Sequence, residues 1–258
     1  MSQLKGKTLF ISREFAKAQD FIVPLKEHGV NVIAYSLITF ELEESVSHRE
    51  TINQFNQFDW VVFTSANGVR YFFETLDNHA ISPSEIQHIK KAVVGSKTKE
   101  ALEQYGVQAH FLPEIYDAEH FSHSFISDMK PKHVLLIKGN LSRDVIDHKL
   151  DRANIPYDTM IVYRTVVNHK VESIINQELT ENVDGLVFTS PSSVNAFEKL
   201  VGINQAYLIK PCFCIGETTR EKAEQSGFTN TIVPEVFTLE GLSDAVVHYY
   251  SIKENDDE

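Results

Sequence analysis

The sequence predicts an α/β protein made of two similar parallel-sheet, three-layer domains joined by a two-stranded β linker. Three observations carry this. Short, nearly continuous runs of Val, Ile, Leu and Phe alternate with segments of helical period along the chain. A set of motifs recurs once, in the same order, in the second half. Two long β-rich passages, 31–40 and 156–167, bracket the middle of the chain.

The elements follow in order. Residues 8–11 form a strand and 15–28 an amphipathic helix, and 31–40 are extended. Strand 60–63 precedes helix 69–76, and strand 92–94 precedes helix 97–105. Strand 133–137 and helix 143–152 resemble the opening strand and helix, and extended passage 156–167 follows them. Strands 185–188, 213–215 and 231–233 complete the pattern, with helix 218–226 between the last two. Strand–helix alternation of this kind places helices on both faces of a mostly parallel sheet. The acidic run 254–258 reads as solvated chain without fixed structure.

The repeat sets the domain organisation. Asp59, Val62, Phe63, Thr64, Ser65, Val69 and Phe72 match Asp184, Val187, Phe188, Thr189, Ser190, Val194 and Phe197 at one offset. Gly95, Thr98 and Glu100 match Gly216, Thr219 and Glu221, and Gly106 matches Gly227. Pro113, Glu114, Ile115 and Tyr116 match Pro234, Glu235, Val236 and Phe237. Two copies of one small domain explain the shared order and spacing. The extended passages then read as crossings: domain 1 is 1–36 plus 168–258, and domain 2 is the inserted 37–167. The alternative is two sequential domains cut near residue 130.

Composition narrows the function. The chain has 258 residues, 42% hydrophobic and 23% charged, as a globular fold requires. Its 24 Lys and Arg against 36 Asp and Glu give a net charge of -12, which disfavours a nucleic-acid partner. No apolar run is long enough for a membrane span, and residues 1–7 carry no signal-like apolar region, so a cytoplasmic setting is expected. Cys212 and Cys214, two apart in a strand, share a face at a separation poor for a disulfide. Phosphate loops, nucleophile elbows and paired metal-ligand motifs are missing from the sequence. No metal or cofactor is therefore expected.

What remains is a series of polar strand–helix junctions. Thr64-Ser65 and Thr189-Ser190-Pro191 follow strands and open helices, Ser being an N-cap and Pro191 a first helical residue. Gly95 to Thr98 and Gly216 to Thr219 do the same, and Ser12-Arg13 and Lys138-Gly139-Asn140 end two further strands. In an open α/β sheet such junctions lie at the carboxyl ends of the strands, where ligands bind. Helix N-termini there present free N–H groups and partial positive charge. Each motif alone is explained by helix capping. Together they suit a ligand with several carboxylates or phosphates. Arg13 and Lys138 are cationic candidates placed by topology.

These residues resemble the uroporphyrinogen-III synthase family over nearly the whole chain. The resemblance rests on Phe63-Thr64-Ser65, Val94-Gly95 with Thr98, Lys138 to Leu141, Val162 to Thr165, Phe188 to Pro191 and Ile215 to Thr219. It implies two α/β domains with the active site in a cleft between them. It implies a cyclising hydro-lyase acting on hydroxymethylbilane, a linear tetrapyrrole with eight carboxylates. Water is lost and the last pyrrole is inverted to give uroporphyrinogen III, in haem biosynthesis. Tyr163 matches the family's cleft tyrosine and would hydrogen-bond the departing hydroxyl. Ser65, Thr98, Gly139, Asn140, Ser190, Gly216, Thr218 and Thr219 match cleft-lining positions and would bind carboxylates. Lys97 stands where domain 1 has Thr218, and Ala66 where it has Pro191. The resemblance implies no cofactor; transient hand-over from the preceding enzyme is expected, with no membrane partner, and a monomer is the default because no exposed apolar stripe stands out. The competing readings are a non-enzymatic two-domain protein binding a small anion, and a transferase using nucleotide-linked donors.

Overall fold

A computed structural model describes residues 4–179 and 183–256. The chain divides into one unit of Met1–Thr39 with Val166–Glu258 and a second of Phe40–Thr165. It begins with β1 (Thr8–Ile11), α1 (Gln19–Glu27) and β2 (Asn31–Ala34). The inserted unit follows, with β3 (Ile38–Leu42), α2 (Val46–Asn53), β4 (Trp60–Phe63), α3 (Ala66–Asn78), β5 (Lys90–Val93) and α4 (Ser96–Glu103). It continues through α5 (Ala118–Ser124), β6 (Val134–Gly139), α6 (Val145–Arg152) and β7 (Tyr157–Val167). The first unit resumes with α7 (Glu172–Glu178), β8 (Gly185–Phe188), α8 (Pro191–Leu200) and α9 (Gln205–Leu208). It ends with β9 (Cys212–Cys214), α10 (Glu217–Gln225), β10 (Thr231–Ile232) and α11 (Leu239–Asp256).

Each unit is built on a five-stranded sheet, ordered β10-β9-β8-β1-β2 in the first and β3-β7-β6-β4-β5 in the second. The first sheet is parallel throughout. In the second, β7, β6, β4 and β5 are parallel. Strand β3 runs against β7: Asn168 N donates to Leu37 O while Glu43 N donates to Val162 O, so one index rises as the other falls.

The repeat is visible in the topology. Strands β2-β1-β8-β9 of the first sheet correspond to β7-β6-β4-β5 of the second. Where β10 would have its counterpart, Phe111 makes a single parallel bridge to Ala92. Even the aspartates at the strand starts do the same work. Asp184 Oδ2 accepts from Thr8 N at 2.8 Å, and Asp59 Oδ1 accepts from His133 N at 2.8 Å.

Apolar runs bury both strand faces. On β4, Trp60 and Val62 face one core with Phe121 and Phe125, while Val61 and Phe63 face another with Phe72 and Leu102. On β8, Leu186 and Phe188 face Val194 and Phe197, while Val187 faces Phe21 and Leu242 on the opposite side. Cys212 and Cys214 share one of these faces as free buried thiols with sulfurs 3.9 Å apart. The hydrogen bond with Cys214, and then burial, push the Cys212 thiol up, so it stays protonated.

Three local expectations are corrected. Passage 31–40 is not one extended crossing. It is β2, a bend at Tyr35 to Leu37, and then β3 in the other sheet. Ser36 holds the bend: its Oγ donates to Ile38 O, and its carbonyl accepts from Asn168 Nδ2. Segment 15–28 is a short 3-10 turn at Phe15–Lys17 followed by α1, with the break at Ala18. Helix α11 continues through Asp256 into the acidic run expected to lack structure; Asp257 and Glu258 lie outside the described residues. Among the described residues, no helix is long and apolar enough to cross a membrane.

One buried titratable group links the inserted unit's stability to pH. His48 of α2 is 3% exposed, and its Nε2 donates to Ile161 O of β7 at 2.9 Å. Burial holds its pKa below the usual histidine value, the carbonyl contact and Glu43 oppose this, and His79 adds to it. The folded protein therefore binds fewer protons here than the unfolded chain. Stability is full above the unfolded value, about 6.5, and falls as pH drops towards the folded one. Thermal melting followed from pH 8 to pH 5 should show this loss, and His48→Gln should flatten it.

Candidate functional site

The carboxyl ends of the strands form a polar rim in each unit. In the inserted unit the rim is built by β6, β4 and β5. Ser65, after β4, is the N-cap of α3, and its Oγ accepts from Gly68 N at 3.0 Å. Thr64 Oγ1 donates to Ile137 O across to β6. Gly95, after β5, caps α4 without a side-chain contact, and Thr98 lies buried in the first turn.

Tyr163 is the centre of this rim. It sits in β7 beyond a register shift at Lys138 and Gly139, where β6 slips by one residue against it. Its ring stacks on Tyr71 at 5.5 Å between centroids and meets Phe40 edge-on at 5.7 Å. Its Oη lies 3.3 Å from Ser65 Oγ, at the N-terminus of α3. Only 8% of the residue is exposed. The structure thus brings Tyr163, Ser65 and Gly139 together from three strands.

Gly139 makes this possible. A Cβ on it would stand 2.3 Å from Tyr163 Cζ and 2.7 Å from Oη, so the glycine is the floor on which the ring lies. Its own N donates to Ser142 Oγ at 3.0 Å. Asn140 fixes the neighbouring backbone: its N donates to Tyr163 O at 3.1 Å, and its Oδ1 accepts from Thr165 N at 2.8 Å. Together these contacts hold both sides of the tyrosine.

Lys138 is ion-paired within the inserted unit. Its Nζ donates to Asp144 and Asp147, each at 2.7 Å, with the side chain 6% exposed. Strand alternation explains this. Residue 138 shares the face of Val134 and Leu136, which is covered by α6, the helix whose N-cap is Asp144 and whose first turn holds Asp147. The Lys138 hydrogen bond holds the Asp144 carboxyl below its usual range.

The rim of the first unit repeats the plan. Ser190 caps α8 by accepting from Ser193 N at 3.1 Å, and Thr189 Oγ1 reaches Ser12 O across to β1. Gly216 caps α10 without a side-chain contact. Thr218 is exposed, whereas Thr219 is buried. Neither Thr98 nor Thr219 finds a hydroxyl partner among the described residues. Arg13 follows β1, partly exposed, with its Nε donating to Lys17 O. This rim holds hydroxyls, helix N-termini and a guanidinium. Such a set binds anions through fixed donors.

Sequence reasoning missed Tyr71 and Phe40, the two rings that set the pose of Tyr163. Tyr71 Oη donates to Phe40 O at 2.9 Å, so the pair is itself fixed. One signal was available: the repeat matches Tyr71 to Ala196, a departure at an otherwise apolar helical position.

Comparisons with known proteins bear on the family and the fold. The family model described as uroporphyrinogen-III synthase HemD matches residues 19–244. A porphyrin biosynthesis protein HemD of Ruminiclostridium josui is 23% identical over 250 residues, covering 95% of this chain. The chain spans 49% of that longer relative. The uroporphyrinogen-III synthase of Chlorobaculum parvum is 25% identical over 250 residues, 93% of this chain and 98% of its own. The crystal structure of uroporphyrinogen-III synthetase from Helicobacter pylori shares the fold, with a TM-score of 0.66, at 18% identity. That match covers 94% of this chain and 99% of the other. The chain belongs to the uroporphyrinogen-III synthase HemD family.

Proposed function

We propose that this protein is a uroporphyrinogen-III synthase, a lyase that closes hydroxymethylbilane with loss of water and inversion of its last ring. The observation that carries the reading is the Tyr163 hydroxyl, fixed over Gly139 at the N-terminus of α3 in a chain of this family. A pyrrole nitrogen can expel the terminal hydroxide unaided, leaving an electrophilic azafulvene. The protein therefore needs to hold the substrate so that attack occurs at the substituted carbon, through a spiro intermediate. Orientation of that kind supplies much of a rate without a strong base. Tyr163 hydrogen-bonds the departing oxygen, and the α3 N-terminus favours the negative charge that develops there.

The carboxylates are held by fixed donors. In the inserted unit these are Ser65, Thr98 and the Asn140 amide. In the first unit they are Ser190, the Gly216 backbone, Thr218, Thr219 and Arg13. Backbone amides and hydroxyls let a chain of net charge -12 hold a polyanion. On this reading the protein works in the cytoplasm as a monomer without a cofactor. It receives its unstable substrate by transient hand-over from the enzyme that makes it.

The test is a coupled assay. Porphobilinogen and a purified hydroxymethylbilane-forming enzyme generate the substrate, with and without this protein, and oxidised products are resolved by isomer. Predominantly type III product is expected. Type I alone, at the uncatalysed rate and with folded protein, would overturn the reading in favour of an anion-binding protein.

A further inference from the structure

The two rims share a feature that the carboxylate chemistry leaves unused. Pro113 and Pro234 are both buried, and each leads through an exposed aliphatic residue, Ile115 or Val236, to an aromatic one. The backbone closes in the same tight turn in both places. Asp117 N donates to Ile115 O at 3.0 Å, and Thr238 N donates to Val236 O at 2.8 Å. The central residue is Tyr116 in one unit and Phe237 in the other.

Each turn presents its ring outwards beside a bare helix N-terminus. Tyr116 is 56% exposed and Phe237 60%. Their Cγ atoms would each lie 3.8 Å from a Cβ added to Gly95 and Gly216, the residues that open α4 and α10. Alanine would meet only ordinary van der Waals distances there, so packing within the protein does not require glycine. Just inside each helix lies Thr98 or Thr219, 6% and 1% exposed, with no hydroxyl partner among the described residues. The halves have diverged at most positions. Both nonetheless keep an outward aromatic ring, a side-chain-free helix start and a buried threonine together.

This combination fits a flat, π-rich ring that carries an acidic arm. The aromatic face takes the ring, and the helix start with its threonine takes the carboxylate. We propose that Tyr116 and Phe237 determine specificity by packing against pyrrole rings of the substrate, one beside α4 and one beside α10. This inference rests on the synthase reading given above. Two exposed aromatic anchors next to anion donors select a carboxylated pyrrole chain over a simple polycarboxylate.

The experiment is steady-state kinetics of type III formation by the full chain, with hydroxymethylbilane generated in situ. Tyr116→Ala and Phe237→Ala should each raise KM by about tenfold, with kcat within roughly twofold and the melting temperature unchanged. Tyr116→Phe and Phe237→Tyr should restore the wild-type KM, because they keep the ring. Ile209→Ala, a change at an exposed apolar residue remote from both turns in sequence, should leave KM unaltered. Unchanged KM in both alanine variants of an active enzyme would overturn this inference and leave the synthase reading standing. A wild-type protein that forms no type III product would overturn the synthase reading, and this inference with it.

Discussion

Tyr163→Phe should lower the rate of type III formation by about 10–100-fold while the protein stays folded and retains measurable turnover. The size follows from the proposed chemistry. A full general acid contributes about 10²–10⁴-fold, but here the pyrrole nitrogen can expel hydroxide without help. The tyrosine then stabilises a departure that already occurs, and its loss falls at or below the bottom of that range. Stability should change little because phenylalanine keeps the ring on Tyr71 and against Phe40. Only the 3.3 Å contact with Ser65 is lost, and its length marks it as weak. About 0.5–1 kcal/mol covers it. Isomer analysis separates the tyrosine's two possible parts. If the hydroxyl only assists departure, the product the enzyme still forms remains type III. If it also positions the last ring, the enzyme-dependent product shifts towards type I. Total loss of turnover in a folded variant would make Tyr163 an indispensable proton donor. An unchanged rate would remove it from the reaction.

The sequence made some of this site visible and hid the rest for physical reasons. Internal duplication exposed the sheet plan, because Asp59 and Asp184, or Ser65 and Ser190, must do equivalent work at equivalent strand ends. Local chemistry announces such positions: an N-cap needs a short hydroxyl, and a strand start needs an acceptor. Passage 31–40 was misread because its apolar residues run without glycine or proline. Its bend depends instead on Asn168, more than a hundred residues away in sequence. Lys138 has partners that the sequence does not announce. Its place at a strand end suggested a ligand, but the alternation of β6 turns it to the face covered by α6, where two aspartates neutralise it. Tyr71 could not be chosen from composition alone, since an aromatic residue at helical spacing is ordinary core, and Phe40 is one more aromatic residue in a strand. Their contact with Tyr163 is what gives them a part in the site.

Gly139→Ala should be the most damaging glycine-to-alanine change in the inserted unit's rim, and its damage should depend on Tyr163. The added Cβ would stand 2.3 Å from Tyr163 Cζ and 2.6 Å from Cε2, well inside any real contact. The ring cannot swing away freely, because Tyr71 stacks on it and Phe40 meets it edge-on. The backbone of β6 is no freer, since Gly139 N donates to Ser142 Oγ and Asn140 N to Tyr163 O. Relief must come from displacing the ring, which breaks the approach to Ser65. Overpacking of this kind costs about 1–3 kcal/mol, and turnover should fall at least as far as in Tyr163→Phe. A double-mutant cycle isolates the cause. In a Tyr163→Ala background the floor is empty, so Gly139→Ala should cost well under 1 kcal/mol, a coupling of the size expected for residues in direct contact. Chemical denaturation of the four proteins measures it. Equal costs in both backgrounds would mean that the glycine serves the backbone of β6 itself, and the tyrosine's pose would then have to be set by Tyr71 and Phe40 alone.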